Sequence, residues 1–219
     1  IEHLELKRTD DFFPKEAPFH AYTGSHSGTA VTVIANGKDT VYGTTADNVG
    51  TISAATATFL ALQKNKPDIL INAGTCGGFQ RKGAAIGDVI LTTGVAFHDR
   101  RINLPAFDTY GIGKLNTTLT IIHDMAKDLS FKTGICTTSD SLDRTFECDS
   151  IMKANDATVK DMEAAAIAWT AKLHDTPFLG VKVVTDIVDG DVPTHEEFMQ
   201  NLMTASKRLQ EALPQVLDY

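Results

Sequence analysis

Two acidic residues stand where a side chain could do chemistry. Glu163 follows Met162 at the mouth of an Ala-rich stretch, and Asp186 follows the apolar run Leu179–Val184. Ile167, Trp169, Ala171 and Leu173 recur with small residues at helical spacing, and Pro177 in His174-Asp175-Thr176-Pro177 ends the helix because proline cannot continue it. The run after it is nearly all apolar and β-branched, broken by Lys182, as expected of a parallel strand covered on both faces. Asp186 then falls just past the carboxyl end of a buried strand, where open α/β sheets bind ligands. The sequence thus offers two carboxylates and a flexible apolar side chain, Met162, that could face one pocket. Each has a plainer reading: Glu163 as a first-turn acid favoured by the helix dipole, Asp186 as a turn residue before Asp189-Gly190.

Other candidates carry less. Asp68–Asn72 reads as a short buried strand breaking into the Gly-rich turn Ala73-Gly74-Thr75-Cys76-Gly77-Gly78, whose backbone could approach a ligand closely. The turn has neither the G-x-G-x-x-G spacing of dinucleotide folds nor the Gly-Lys-Ser/Thr of a P-loop. Cys76 has no neighbouring cation or histidine to lower its pKa and is discounted as a nucleophile. His98, followed by Asp99-Arg100-Arg101, reads as a solvated loop histidine, Met162 as core, and Trp169 as needing nothing beyond a core.

The elements that must position these residues alternate. Phe19–Gly24 and Thr29–Ala35 read as a hairpin, and Thr51–Lys64 as a helix with Ile52, Ala55, Phe59 and Leu62 at helical spacing. Gly87–Thr93 is a strand, and Phe97–Gly113 is a long segment of the kind that serves function or an interface. Asn116–Asp128 follows as a helix, Phe131–Thr137 as a strand, Ser139–Asp143 as a polar turn, and Thr194–Leu213 as an amphipathic helix with Phe198, Leu202 and Leu209 in its stripe. Alternating strands and helices predict an α/β fold, helices on both faces of one sheet.

Composition agrees: 219 residues suit a single domain, 1–219, and a hydrophobic share of 42% is ordinary for a soluble one. A net charge of -8 argues against nucleic acid as partner, and no apolar segment is long enough to span a membrane. Cys76, Cys136 and Cys148 form neither an even set nor a metal spacing, pointing to a reducing, cytoplasmic setting.

Exact strings go further. NAGTCGGF (72–79), GDVILTTGVAFHDRR (87–101), TTSDSLD (137–143), NDATVKDMEAAAIAW (155–169) and VTDIVDGDVPTHEEFMQNL (184–202) resemble, in order and spacing, the 5'-methylthioadenosine nucleosidases of the nucleoside phosphorylase/hydrolase superfamily, their plant type above all. The resemblance implies a three-layer α/β/α fold with a central mixed twisted sheet. It also implies a small nucleoside as substrate, hydrolysed to adenine and 5-methylthioribose with no metal or organic cofactor. On the matching positions it implies Asp186 as general acid toward N7 of adenine and Glu163 as the carboxylate on the ribose hydroxyls. Met162 packs on the sugar, Leu142 stacks on the base, the backbone of Asp143 reads the base edge, and Thr75 and Thr185 complete the binding set. Ile102, Pro105 and Phe107 lie in a loop that in relatives crosses to a second subunit, which implies a homodimer.

One feature departs from the family. Its first strand, leading into the glutamate that activates water, would end just before Ile1, and neither Glu2 nor Glu5 matches that context. The chain is therefore expected to lack that strand and to be a piece of a longer protein. Two other functions remain: a phosphorylase of the same superfamily, for which Asn36-Gly37-Lys38-Asp39 offers only Lys38 toward phosphate, and a non-catalytic nucleoside-binding or storage protein. Whether S-adenosylhomocysteine is also cleaved depends on room beyond the 5' sulfur, near His195 and the partner's loop.

Overall fold

A computed structural model of the protein describes residues 4–102 and 104–219. Ile1 and Glu2 lie outside the described residues. A small antiparallel sheet comes first, from β1 (Lys7–Arg8), β2 (His20–His26) and β3 (Thr29–Ala35); β2 and β3 form the expected hairpin, but β2 runs past Gly24 to His26, so the turn narrows to Ser27-Gly28. Helix α1 (Thr51–Lys64) leads to β4 (Leu70–Gly78), followed by β5 (Val89–Phe97), the short helix α2 (Asp108–Ile112) and β6 (Leu115–Asn116). The rest of the chain is α3 (Ile122–Asp128), β7 (Lys132–Thr138), α4 (Phe146–Ala154), β8 (Ala157–Asp161), α5 (Ala164–Leu173), β9 (Phe178–Ile187) and α6 (Thr194–Leu217).

The six strands from β4 to β9 form one mixed sheet in the order β6-β5-β7-β8-β4-β9, and β5 also pairs with β9, so the sheet curls back on itself. β4/β9, β5/β7 and β7/β8 run parallel, while β8 meets β4 antiparallel only through Gly77 and Gly78. Among the described residues the β8-side edge of β4 from Leu70 to Cys76 thus has no strand partner. Two apolar clusters flank the sheet: Ala164, Ala165, Ala166 and Ala168 of α5 pack with Val184 and Val159 on one face, and α3 and α6 cover Leu179, Val181 and Val183 on the other. Alternation along β9 sends Lys182 and Val184 to the α5 face, and small alanines let that helix sit close.

Several sequence expectations need correction. β4 runs unbroken through the Gly-rich segment. Its glycines serve close approach rather than turning: a Cβ on Gly77 would lie 2.7 Å from Asp186 Oδ2, and one on Gly78 2.8 Å from Val184. The predicted helix from Asn116 starts only at Ile122, because Leu115 and Asn116 pair with β5 and the Thr117 hydroxyl bonds the Phe178 carbonyl. β5 extends past Thr93 to Phe97, and α6 runs past Leu213 to Leu217, since Pro214 in its last turn forfeits a single helical bond. Unforeseen elements are α4, capped by the Thr145 hydroxyl on Cys148 N, and β8.

On α1 the buried positions are Ala54, Ala57, Thr58 and Leu62, whereas Ile52 is 81% and Phe59 41% exposed. Trp169, expected in a core, is 45% exposed on α5. Between these helices an open groove of about 290 Å³ is lined by Ala55, Thr56, Phe59, Leu60, Trp169 and Thr170.

Candidate active site

β9 carries Asp186 to the end of the sheet and buries it to 2% exposure. The Thr185 hydroxyl lies 2.7 Å from its Oδ1 and 3.1 Å from the Cys76 carbonyl, while the buried Oδ2 has no hydrogen-bond partner among the described residues. Burial raises the Asp186 carboxyl pKa; the Thr185 bond opposes this, the Glu197 carboxylate adds to it, and the Lys160 cation opposes it. Glu197, from the first turn of α6, accepts the Ile187 amide at 2.6 Å, so α6 both fixes the end of β9 and sets an acid beside Asp186.

Glu163 sits at the N-cap of α5, half-buried beside a half-buried Met162, and its Oε1 accepts the Gly50 amide at 2.8 Å. Gly50 begins α1 with φ 92°, and a Cβ there would strike Asp140 Oδ1 at 2.6 Å, so both the conformation and the space require glycine. Asp140 in turn accepts the Thr51 amide and hydroxyl, each at 2.6 Å. The start of α1 is thereby tied to α5 through Glu163 and to the loop after β7 through Asp140. Burial and the nearby Asp161 raise the Glu163 pKa, against the Lys182 cation and the Gly50 amide.

Beneath Glu163 lies a charged pair that periodicity does not reveal. Lys182 and Asp161 meet at 2.7 Å, each side chain 1% exposed. Asp161 also accepts the Thr138 hydroxyl at 2.6 Å and the Ala164 amide at 2.9 Å, and Thr138 Oγ1 accepts the Ala165 amide. Burial pushes the Asp161 carboxyl up, but Lys182, Thr138 and Ala164 together hold it below the ordinary value. Asp161 is a committed counter-ion and helix anchor, not a base. Its spacing two before Glu163 and three before Ala164 is the one sequence signal that could have found it.

Leu142 and Asp143 stand together on an exposed turn, both backbone carbonyls held by Lys160 Nζ, at 2.9 Å for Leu142. Thr75 lies half-buried on β4 opposite Val183. Ile102, Pro105 and Phe107 belong to the segment after β5, where Phe107 packs edge-on to Tyr110; Phe107 is 41% exposed, and among the described residues no hydrogen bond, ion pair or ring contact joins these three to Asp186 or Glu163. His98 is not solvated. It is 1% exposed with Nδ1 3.1 Å from the Thr137 hydroxyl, and burial with the Lys160 cation lowers its pKa to about 4, which keeps it neutral. Burial pushes the Cys76 thiol up, so it stays protonated.

A carboxyl buried toward its protonated form, with one oxygen engaged and the other unpartnered, is suited to give a proton. A second carboxylate, at the N-cap of α5 beside a methionine, is suited to hydroxyls and developing positive charge. The chain matches the model of the phosphorylase superfamily over residues 4–218. It is 46% identical to the 5'-methylthioadenosine nucleosidase of Arabidopsis thaliana over 211 residues, 96% of this chain and 78% of that one. The chain belongs to the 5'-methylthioadenosine nucleosidases of the phosphorylase superfamily.

Solved structures of this nucleosidase family superpose closely. The Arabidopsis thaliana 5'-methylthioadenosine nucleosidase in apo form aligns with TM-score 0.94 at 44% identity, covering 99% of this chain and 88% of that one. The Neisseria meningitidis 5'-methylthioadenosine/S-adenosylhomocysteine nucleosidase in complex with methylthio-immucillin-A aligns with TM-score 0.79 at 25% identity, over 99% of this chain and 91% of its own. Within this fold, sheet register sets Asp186 and Lys160 on either side of Gly77, and Lys160 holds the Leu142–Asp143 turn.

Proposed function

We propose that the protein hydrolyses the N-glycosidic bond of 5'-methylthioadenosine to adenine and 5-methylthioribose. The carrying observation is Asp186, 2% exposed, with Thr185 on Oδ1 and no partner on Oδ2. In this reading Oδ2 holds the proton and passes it to N7, so adenine leaves neutral as C1'–N9 breaks. Glu163, one oxygen already on the Gly50 amide, takes the ribose hydroxyls with the other and stabilises the positive charge that grows on the sugar, as in other glycosyl transfers. Met162 covers the ribose, Leu142 the base, the Asp143 backbone reads the base edge, and Thr75 and Thr185 complete the binding set. Asp161, spent on Lys182, Thr138 and the Ala164 amide, does not activate the water. We assign that role to the glutamate of the family's first strand, and the edge of β4 from Leu70 to Cys76 is where such a strand would pair.

The working unit is a homodimer, in this reading, with the partner's Ile102–Phe107 segment closing the alkylthio end. Ile52, Phe59, Trp169 and Leu173 give α1 and α5 an apolar outer face that fits such an interface. A place in methionine salvage follows from the substrate, and the free, buried Cys76, Cys136 and Cys148 suit the cytoplasm. Among the described residues no helix is long and apolar enough to cross a membrane. Lys38, the cation considered for phosphate, pairs instead with Asp47 at 2.7 Å, which favours water over phosphate as nucleophile.

The test is adenine released from 5'-methylthioadenosine in phosphate-free buffer. Release is expected from a chain that carries the water-activating strand. Release only on adding phosphate would make the protein a phosphorylase, and nucleoside binding with no release from either chain would make it a binding protein. Release by the chain beginning at Ile1 would move water activation to a group within these residues. Parallel assays with S-adenosylhomocysteine read the room at the 5' end.

A further inference from the structure

Lys160 is absorbed by none of the roles above, yet it is among the most deeply buried cations of the chain, 5% exposed on β8. A lysine ammonium is costly to bury and is found inside when its donors are engaged. Here they hold the backbone carbonyls of Leu142, at 2.9 Å, and of Asp143. Among the described residues no other donor reaches those carbonyls, and residues 141–147 are exposed. Sheet register adds a second relation. Gly77 on β4 pairs with Lys160 on one side and with Asp186 on the other, so the three lie on one rung. At the usual strand spacing this sets the backbones of Lys160 and Asp186 roughly 10 Å apart. Gly77 keeps the space between them open, since its Cβ would meet Asp186 Oδ2 at 2.7 Å.

We propose that Lys160 is a positioning residue for the base: from the rung it shares with Asp186 it holds the Leu142–Asp143 turn at the distance a purine needs. The proposal rests on the reading of Asp186 and of this turn as the adenine subsite. Three donors on one charged ammonium let a single side chain hold two successive carbonyls, more strongly than the two donors of a neutral amide such as glutamine do. The exposed turn has little packing of its own, so its place over the site depends on this tie.

The experiment compares wild type, Lys160→Met, Lys160→Gln and Lys160→Arg in the full chain, by calorimetric binding of adenine and by steady-state cleavage of 5'-methylthioadenosine. For Lys160→Met the adenine Kd and the KM are expected to rise together on the order of tenfold, with kcat within about threefold. Lys160→Gln should lie between, and Lys160→Arg should recover most of the affinity. Amide exchange of residues 141–144 should quicken in Lys160→Met while that of β9 does not. A flat series in adenine Kd among folded variants overturns the proposal and leaves the reaction standing. A loss of kcat with Kd unchanged overturns it as well. Wild-type protein that binds no adenine overturns both the proposal and the reading beneath it.

Discussion

At the scale of the residue, the proposed chemistry turns on what burial does to two carboxyls. Asp186 is raised mainly by burial, and so is Glu163. The rate is expected to climb as Glu163 ionises and to fall as Asp186 loses its proton, and Glu163→Gln should remove the acid-side limb of the pH profile while weakening nucleoside binding. Asp186→Asn keeps the shape and loses the proton. It should cut kcat by about 10²- to 10⁴-fold, with nucleoside affinity little changed. The same variant has a signed effect on stability. A carboxyl raised in the folded state stabilises the fold while protonated, and that contribution is lost as pH rises through the raised value. Asn never ionises, so Asp186→Asn is expected to melt above wild type at alkaline pH, the gap closing as pH falls to the ordinary carboxylate range. Thermal unfolding across that span reads the outcome, and an equal gap at all pH values would place the origin elsewhere.

At the scale of the element, the start of α5 is held by a charged pair rather than by an ordinary cap. Lys182 of β9 neutralises Asp161 of β8, and Asp161 then takes the Ala164 amide. Removing one partner strands the other charge: Lys182→Met should cost about 3–5 kcal/mol in urea unfolding. Lys182→Met with Asp161→Asn should recover part of that loss, because no bare charge remains. Gly77 presents the opposite problem. A methyl group there meets Val188 at 2.6 Å and Asp186 Oδ2 at 2.7 Å, so Gly77→Ala should cost about 1–3 kcal/mol and reduce turnover by displacing the acid. A Gly77→Ala protein with full activity would show that the end of β9 yields more than its buried packing suggests.

At the scale of the whole molecule, the apolar face of α1 and α5 has no counterpart in the described chain. Ile52 at 81%, Leu173 at 56%, Trp169 at 45% and Phe59 at 41% exposure form a surface that water disfavours. If the proposed homodimer forms through this face, Trp169→Glu is expected to yield a folded monomer by analytical ultracentrifugation, with a raised KM for the nucleoside from loss of the partner loop proposed to close the pocket. A Trp169→Glu dimer as tight as wild type would put the interface on another face.

Read alone, the sequence determined the alternation of strands and helices, the two strands of the hairpin and the bounds of α1, because these rest on local period, on proline and on β-branched runs; it placed Asp186 just past a buried strand, whereas β9 runs through Asp186 to Ile187. Its exact strings also identified the family. Only the tertiary structure decided that the Gly-rich segment is part of a strand, with a register shift between Cys76 and Gly77, since its glycines answer to Asp186 and Val184, more than 100 residues away in the chain. It also decided that His98 is buried and neutral, that Trp169 faces outward and that Lys182 is paired with Asp161. Lys160, Glu197 and Gly50 were not legible for the same reason: each acts on a group from another element, and no period within one segment records what a neighbouring strand or helix brings against it.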